Sequence, residues 1–94
     1  MKISGLIWLD DIAQKLIHKH HVEEEEVEEV LANAKRFFFV ERGHRAKENV
    51  YLALGQTEAG RYLAVFCVYT RGRRALILSA REMTGSERKR YERK

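Results

Sequence analysis

Hydrophobic positions fall into two regimes along the chain, and the change comes at Arg36. Before it, apolar residues recur at helical spacing: Leu9, Ile12, Ala13, Leu16 and Ile17, then Val27, Val30, Leu31 and Ala34. After it, apolar runs alternate with polar turns, as strands do: Phe37–Val40, Val50–Leu54, Tyr62–Thr70 and Ala75–Arg81. A further edge strand is predicted over 2–8, with Trp8 anchored in the core. Asp10 or Asp11 is expected to cap the first helix. That helix breaks at His20-His21, and His20 continues its buried face. The second helix runs from about Glu23 to Asn33. Its opening run, Glu23–Glu26, puts negative charge where a helix N-terminus favours it.

The strands are joined by polar turns at Glu41–Glu48, Gln56–Gly60 and Arg71–Arg73. Such short connections imply an antiparallel meander. Strands apolar on both faces need cover on both. The two helices cover one face, and the other falls to a terminal helix, a partner or a second copy. A third helix is indicated by Thr84-Gly85-Ser86-Glu87, which has the form of a capping box. Arg88, Lys89, Arg90, Arg93 and Lys94 follow, and cations suit a helix C-terminus. The pattern predicts an α+β fold: two N-terminal helices packed on a mainly antiparallel sheet of four to five strands, with a C-terminal helix. Ninety-four residues suit one domain spanning 1–94.

Charge adds a direction. Residues 1–34 hold three bases and eight acids, whereas residues 35–94 hold fifteen bases and six acids. An acidic flank on a basic body favours an anionic partner for the body. The terminal helix is either a solvated basic surface or a contact for RNA, DNA or an acidic protein. The single cysteine, Cys67, lies in an apolar strand pattern and reads as a buried thiol, which suits a reducing cytoplasm. No stretch approaches the roughly 20 apolar residues of a membrane span, and the N-terminus lacks the apolar run of a signal peptide. His18 and His21 could share a helix face, but so short a stretch does not supply the four ligands of a zinc site, and no metal is expected. There is no nucleophile elbow, phosphate-cradling glycine loop or paired-cysteine motif, which removes the hydrolase and nucleotidase classes built on them.

What remains is arginine on a sheet. Strand alternation would put Ile77, Ser79 and Arg81 on one face and Leu78, Ala80 and Glu82 on the other. Arg81 interrupts an otherwise buried strand and reads as a functional guanidinium. Arg61, Arg71, Arg73 and Arg74 lie at neighbouring strand ends, where some could converge on it. Arg73 and Arg74 read as solubilising turn residues.

The segment YLAVFCVYTRGRRALILSAREMTGSERKRYER resembles the C-terminal half of the BrnT family, toxins of bacterial type II toxin–antitoxin pairs with a RelE-like ribonuclease fold. The shared features are Val68-Tyr69-Thr70, an Arg-Gly turn, Ser79-Ala80-Arg81, Thr84, and Glu87-Arg88 with Tyr91. The N-terminal half is similar more loosely, through Trp8 with Asp10, Lys19-His20, Val22 and Glu25-Glu26. Two departures stand out: Leu9 intervenes between Trp8 and the acid, and His21 replaces the usual glycine. The resemblance implies a cytoplasmic toxin, a metal-independent endoribonuclease that cleaves RNA without a cofactor and inhibits translation. Its neutralising partner would be a cognate antitoxin, encoded adjacent and bound as a hetero-oligomer. Such cleavage deprotonates a 2′-hydroxyl, neutralises the crowded phosphate and protonates the leaving 5′-oxygen. Arg81 suits the phosphate, since a guanidinium holds two oxygens in a fixed fork. Arg71 and Arg61 would assist. His20 is by side-chain type suited to acid–base work, with Glu48, Tyr69 and Tyr91 as further options. Lys19, Arg61, Arg88 and Lys89 would contact RNA. The alternative is a catalytically inactive binding module, acting in a toxin–antitoxin complex that represses its own operator.

Overall fold

The apolar runs after Arg36 do form a meander, and the chain start adds a fifth strand to it. In the computed structural model of the protein, residues 2–34, 36–43 and 48–93 are described; the middle of the Glu41–Glu48 turn and Lys94 lie outside them. The elements are β1 (Gly5–Ile7), α1 (Asp10–His20), α2 (Glu24–Asn33), β2 (Arg36–Glu41), β3 (Val50–Gln56), β4 (Tyr62–Tyr69), β5 (Arg74–Glu82) and α3 (Gly85–Glu92). The sheet order is β1-β5-β4-β3-β2. Strands β2 to β5 pair antiparallel. Strand β1 lies at the edge as predicted, but it is only three residues long and pairs parallel with Arg74–Leu76 of β5.

Helix α1 corrects two expectations. Its N-cap is Leu9, while Asp10 and Asp11 occupy the first turn, where their charge still suits the helix dipole. It also presents a narrower apolar stripe than its spacing suggests. Leu16 is its one fully buried residue, Leu9 and Ile17 are exposed, and so is His20. The reason is position: α1 rests on β5 near the sheet edge, so only one line of side chains meets the sheet. The helix ends where His21 takes a left-handed conformation, φ 52°. Helix α2 begins with the Glu23 amide donating to Glu26 Oε1 at 3.0 Å. It buries Val27, Val30 and Leu31 and seats on β3 at Gly55. A methyl group there would sit 3.1 Å from Val30 Cγ1 and 3.2 Å from the Val30 carbonyl oxygen, so the glycine sets the approach of helix to strand.

Apolar side chains from the sheet gather on both faces. The helix side holds Val27, Val30, Leu63, Val65, Cys67 and Ile77 among others. Trp8 packs partly buried against this cluster. Burial pushes the Cys67 thiol up to about 11, so it is an un-ionised core group. The opposite side holds Leu52, Leu54 and Ala64, covered by Phe38, Phe66, Met83 and Tyr91. Helix α3 therefore supplies part of the cover that the second face required. Beyond its reach, Val50, Val68 and Leu78 line an open groove rimmed by Glu41, Arg42 and Glu48.

One irregularity decides which way Arg81 points. Phe66 pairs with Ser79 and Cys67 pairs with Ile77, which leaves Leu78 as an extra residue in β5. A bulge of this kind breaks the two-residue alternation. Ile77 and Ala80 both enter the helix-side core. Ser79 and Arg81 sit across from Phe66 and Ala64 on the α3 side. Of the expected faces (Ile77, Ser79 and Arg81 on one, Leu78, Ala80 and Glu82 on the other), Ser79 still goes with Arg81 and Ala80 with Glu82, but Ile77 joins Ala80 instead of Arg81 and Leu78 is the bulged residue. A second bulge at Val40 interrupts β2, where Phe39 is 58% and Val40 43% exposed.

Gly55→Val should lower stability by about 1–3 kcal/mol through overpacking against α2, read as a lower urea midpoint. Gly85→Ala, which enters open space at the first turn of α3, should raise stability by up to about 1 kcal/mol.

Candidate functional site

Strand β5 runs out at Glu82, and the Met83 amide donates to the Tyr62 carbonyl at 3.0 Å. The chain then turns into α3 through the capping box. The Glu87 amide donates to Thr84 Oγ1 at 3.2 Å, and the Thr84 amide donates to Glu87 Oε1 at 2.9 Å. The same carboxylate receives Arg81 end-on. Arg81 Nη1 donates to Oε1 at 2.6 Å and Nη2 to Oε2 at 2.8 Å. Arg81 Nη1 also donates to the Glu82 carbonyl at 3.1 Å, and the guanidinium carbon lies 5.4 Å from the Phe66 ring centre.

The charges answer this geometry. The hydrogen bond from Arg81 draws the Glu87 carboxyl down to about 2, against the opposing effect of burial, with the Thr84 amide helping. The same bond pushes the Arg81 guanidinium further up. Nη1 spends both hydrogens and Nη2 spends one. The Nε–H and the outer Nη2–H are left without a hydrogen-bond partner among the described residues. They form a side-on fork, the arrangement that holds two oxygens of a phosphate.

Aromatic rings and further cations surround the pair. The Arg88 guanidinium lies 3.8 Å over the Tyr62 ring, and its Nε is 3.8 Å from Glu92. Tyr91, one turn beyond Glu87, meets Tyr62 edge-on at 5.9 Å. Arg90 lies 3.9 Å over Phe38, and Arg36 donates to the Arg93 carbonyl. Helix α3 buries none of its residues fully. Arginine–aromatic stacking, the Tyr91 contacts and the Arg81–Glu87 pair hold it to the sheet. Lys89 is exposed on the same helix.

The structure thus gathers Arg81, Arg88 and Tyr91 about the contact between α3 and the sheet, leaves Lys89 exposed elsewhere on α3, and separates the other candidates from them. Arg61 does not converge with Arg81. Its Nη1 donates to the His21 carbonyl at 2.8 Å and to both Glu26 carboxylate oxygens at 2.8 and 2.9 Å, so it braces the corner between α1 and α2. Lys19 and His20 are exposed in the last turn of α1, on the helix side of the sheet. Glu48 rims the open groove. Arg71 belongs to the β4–β5 turn, at the far end of β5, roughly 20 Å of strand from Arg81 at about 3.3 Å per residue. Sequence reasoning took Glu87 for a cap alone and missed it as the counterion of Arg81. The available signal was spacing: an arginine at a strand exit, a cap residue, and an acid in the first turn that faces back to the sheet. Tyr62 and Phe66, which floor the site, carried no signal distinct from core aromatics. Among the described residues no group of three or more His, Cys, Asp or Glu side chains is placed to hold a metal ion. No described helix is long and apolar enough to cross a membrane.

This mixed five-stranded sheet, with two helices on one face and a terminal helix on the other, is similar in fold to a solved ribonuclease toxin. The 1.1 Å crystal structure of the Brucella abortus ribonuclease toxin BrnT matches with a TM-score of 0.62 at 21% identity, over 85% of this chain and 96% of that one. The sequence profile described as "ribonuclease toxin, BrnT, of type II toxin-antitoxin system" matches residues 8–87. The chain belongs to the BrnT family of ribonuclease toxins, and an antitoxin protein is its partner in such a system. A search of curated proteins finds no match.

Replacing Glu87 by Gln should cost about 1–2 kcal/mol at neutral pH, as expected for a charge-assisted, partly exposed pair. The Glu87 carboxyl is depressed on folding, so its contribution is complete above about pH 4.5 and is lost as pH falls toward about 2. Urea titrations of both proteins should therefore differ at pH 7 and converge through that acid range.

Proposed function

We propose that the protein is a metal-independent endoribonuclease in which Arg81 stabilises the scissile phosphate. The observation that carries this reading is the side-on fork of Arg81, held rigid by Glu87 at the mouth of a basic, aromatic surface. In the reaction the ribose 2′-oxygen attacks the adjacent phosphorus, and the bond to the 5′-oxygen breaks. A 2′,3′-cyclic phosphate and a 5′-hydroxyl result. A base takes the 2′-hydroxyl proton and an acid returns one to the leaving oxygen, while Arg81 offsets charge on the non-bridging oxygens. Glu87, held to about 2, carries no proton to donate near neutral pH and serves as the orienting group. Tyr91 lies on the same helix and is the acid–base candidate that geometry favours. His20 stands behind the sheet from Arg81, and Glu48 and Arg71 stand at its other end. Arg88 and Lys89 would contact the RNA backbone beside the cut. The toxin would act on cytoplasmic RNA and inhibit translation until the antitoxin binds as a hetero-oligomer. Its seat would be α3 with the adjoining groove of Val50, Val68 and Leu78.

A second reading draws on the same ion pair. With Glu87 beside it, Arg81 presents little net charge to a phosphate, which favours an inactive module that serves only to bind the antitoxin in an operator-repressing complex.

Antitoxin-free protein incubated with RNA in EDTA should yield fragments ending in 2′,3′-cyclic phosphate. Arg81→Ala should reduce the rate by about 10²–10³-fold while the protein still binds its antitoxin. Arg81→Lys should not restore activity, because an ammonium lacks the planar fork. If the unmodified protein cleaves neither free RNA nor RNA on translating ribosomes, the binding-module reading stands instead.

A further inference from the structure

The β4–β5 turn packs Arg71, Arg73 and Arg74 into four successive residues. Unlike Arg61, Arg81 and Arg88, none of the three enters an ion pair among the described residues. A merely solubilising turn needs no rigid frame, yet this one is closely tied. The Thr70 amide donates to the Arg74 carbonyl at 2.9 Å, and the Arg73 amide donates to the Thr70 carbonyl at 3.0 Å. From the N-terminal segment, the Ser4 amide donates to the Arg73 carbonyl at 2.7 Å, and its hydroxyl reaches the Gly72 carbonyl. The Tyr69 hydroxyl donates to the Lys2 carbonyl at 2.7 Å, which ties the start of the chain to the end of β4.

Arg73 itself has φ 60°, the left-handed region where glycine is the unstrained choice. Gly72 sits one position earlier, in open space. The chain thus keeps an arginine where a glycine would relieve strain, a pattern associated with functional positions. Tyr69, Thr70, Arg71 and Arg73 line a cavity of about 470 Å³.

One arginine of the turn, Arg74, lies on the same face as the proposed cleavage site. Ala75 and Ile77 enter the helix-side core, so alternation puts Arg74 on the α3 side, the same side as Arg81 at the other end of β5. Between them runs a floor of half-buried residues: Leu76, Leu78 and Ser79, with Val68 and Phe66 on the adjacent strand. Glu41, Arg42 and Glu48 rim the groove toward β2 and β3, so the charge there is mixed, whereas the Arg71–Arg74 turn at the end of β5 carries cations alone.

We infer that the Arg71–Arg74 turn is a second phosphate-binding site. It takes the backbone of a single-stranded RNA whose scissile phosphate lies at Arg81, several nucleotides away. This rests on the reading of the protein as one that acts on RNA.

The test is binding of a single-stranded RNA whose 2′-hydroxyls are methylated, followed by fluorescence anisotropy over a salt series. Such RNA cannot be cut, so the measurement stands whether or not the unmodified protein proves to be a nuclease. Arg73→Gly suits the backbone, and should leave the thermal midpoint unchanged or raised while weakening binding several-fold. Arg71→Ala, Arg73→Gly and Arg74→Ala together should weaken binding at least tenfold. They should also flatten the slope of log K against log salt by about 2, at about 0.7 per phosphate contact on a single strand. Affinity and slope equal to those of the unmodified protein would overturn the inference. So would an equal loss from Lys15→Ala, an exposed cation on α1, since that result would assign the effect to net charge.

Discussion

One carboxylate, that of Glu87, fastens α3 to the sheet and holds Arg81 in place at the same time. Its two oxygens take two hydrogen bonds from the guanidinium and one from the Thr84 amide. The helix it starts has almost no apolar stripe and buries no residue completely, so polar contacts and stacked arginines must do what a hydrophobic face does elsewhere. The pair is therefore a joint between architecture and chemistry. Whatever displaces α3 also frees Arg81 from the orientation that the ion pair imposes.

That joint works only because β5 carries an extra residue. Without the Leu78 bulge, Ile77 and Arg81 would lie on the same face, with the charge directed into the helix-side core. The bulge gives Ile77 and Ala80 to that core and turns Ser79 and Arg81 to the other side. The sheet then divides its duties. One face supports α1 and α2, closed at the corner by Arg61 bridging His21 and Glu26. The other face carries α3, Arg81 and an open apolar surface leading to the arginine-rich turn.

Much of this was legible in the residue order, and the limits have physical causes. The meander was readable because Val50–Leu54, Tyr62–Thr70 and Ala75–Arg81 are apolar runs bounded by polar turns, and the capping box at Thr84 and Glu87 was readable because its spacing is strict. The parallel pairing of β1 was not, since three residues beside a strand far along the chain leave no local period. The bulge was invisible for a related reason: one residue too many changes the partner register and leaves composition untouched. His20 misled because helical spacing continues past the point where α1 still touches the sheet. For the site, residue type and strand exit pointed to Arg81. Which arginines meet was a matter of tertiary direction, and Arg61 and Arg71 fell on the other face and the other end.

The outer strand β2 has exposed Phe39 and Val40 and, among the described residues, no further strand pairs with its outer edge. An edge of that kind is a template for self-association when it is flat and uncharged. Here the bulge at Val40 interrupts its regularity, and Arg36, Glu41 and Arg42 set charges at both ends. The bulge and the flanking charges both oppose extension of the sheet by another copy. At this border a defect in the strand, rather than a polar sequence, works against edge-to-edge pairing.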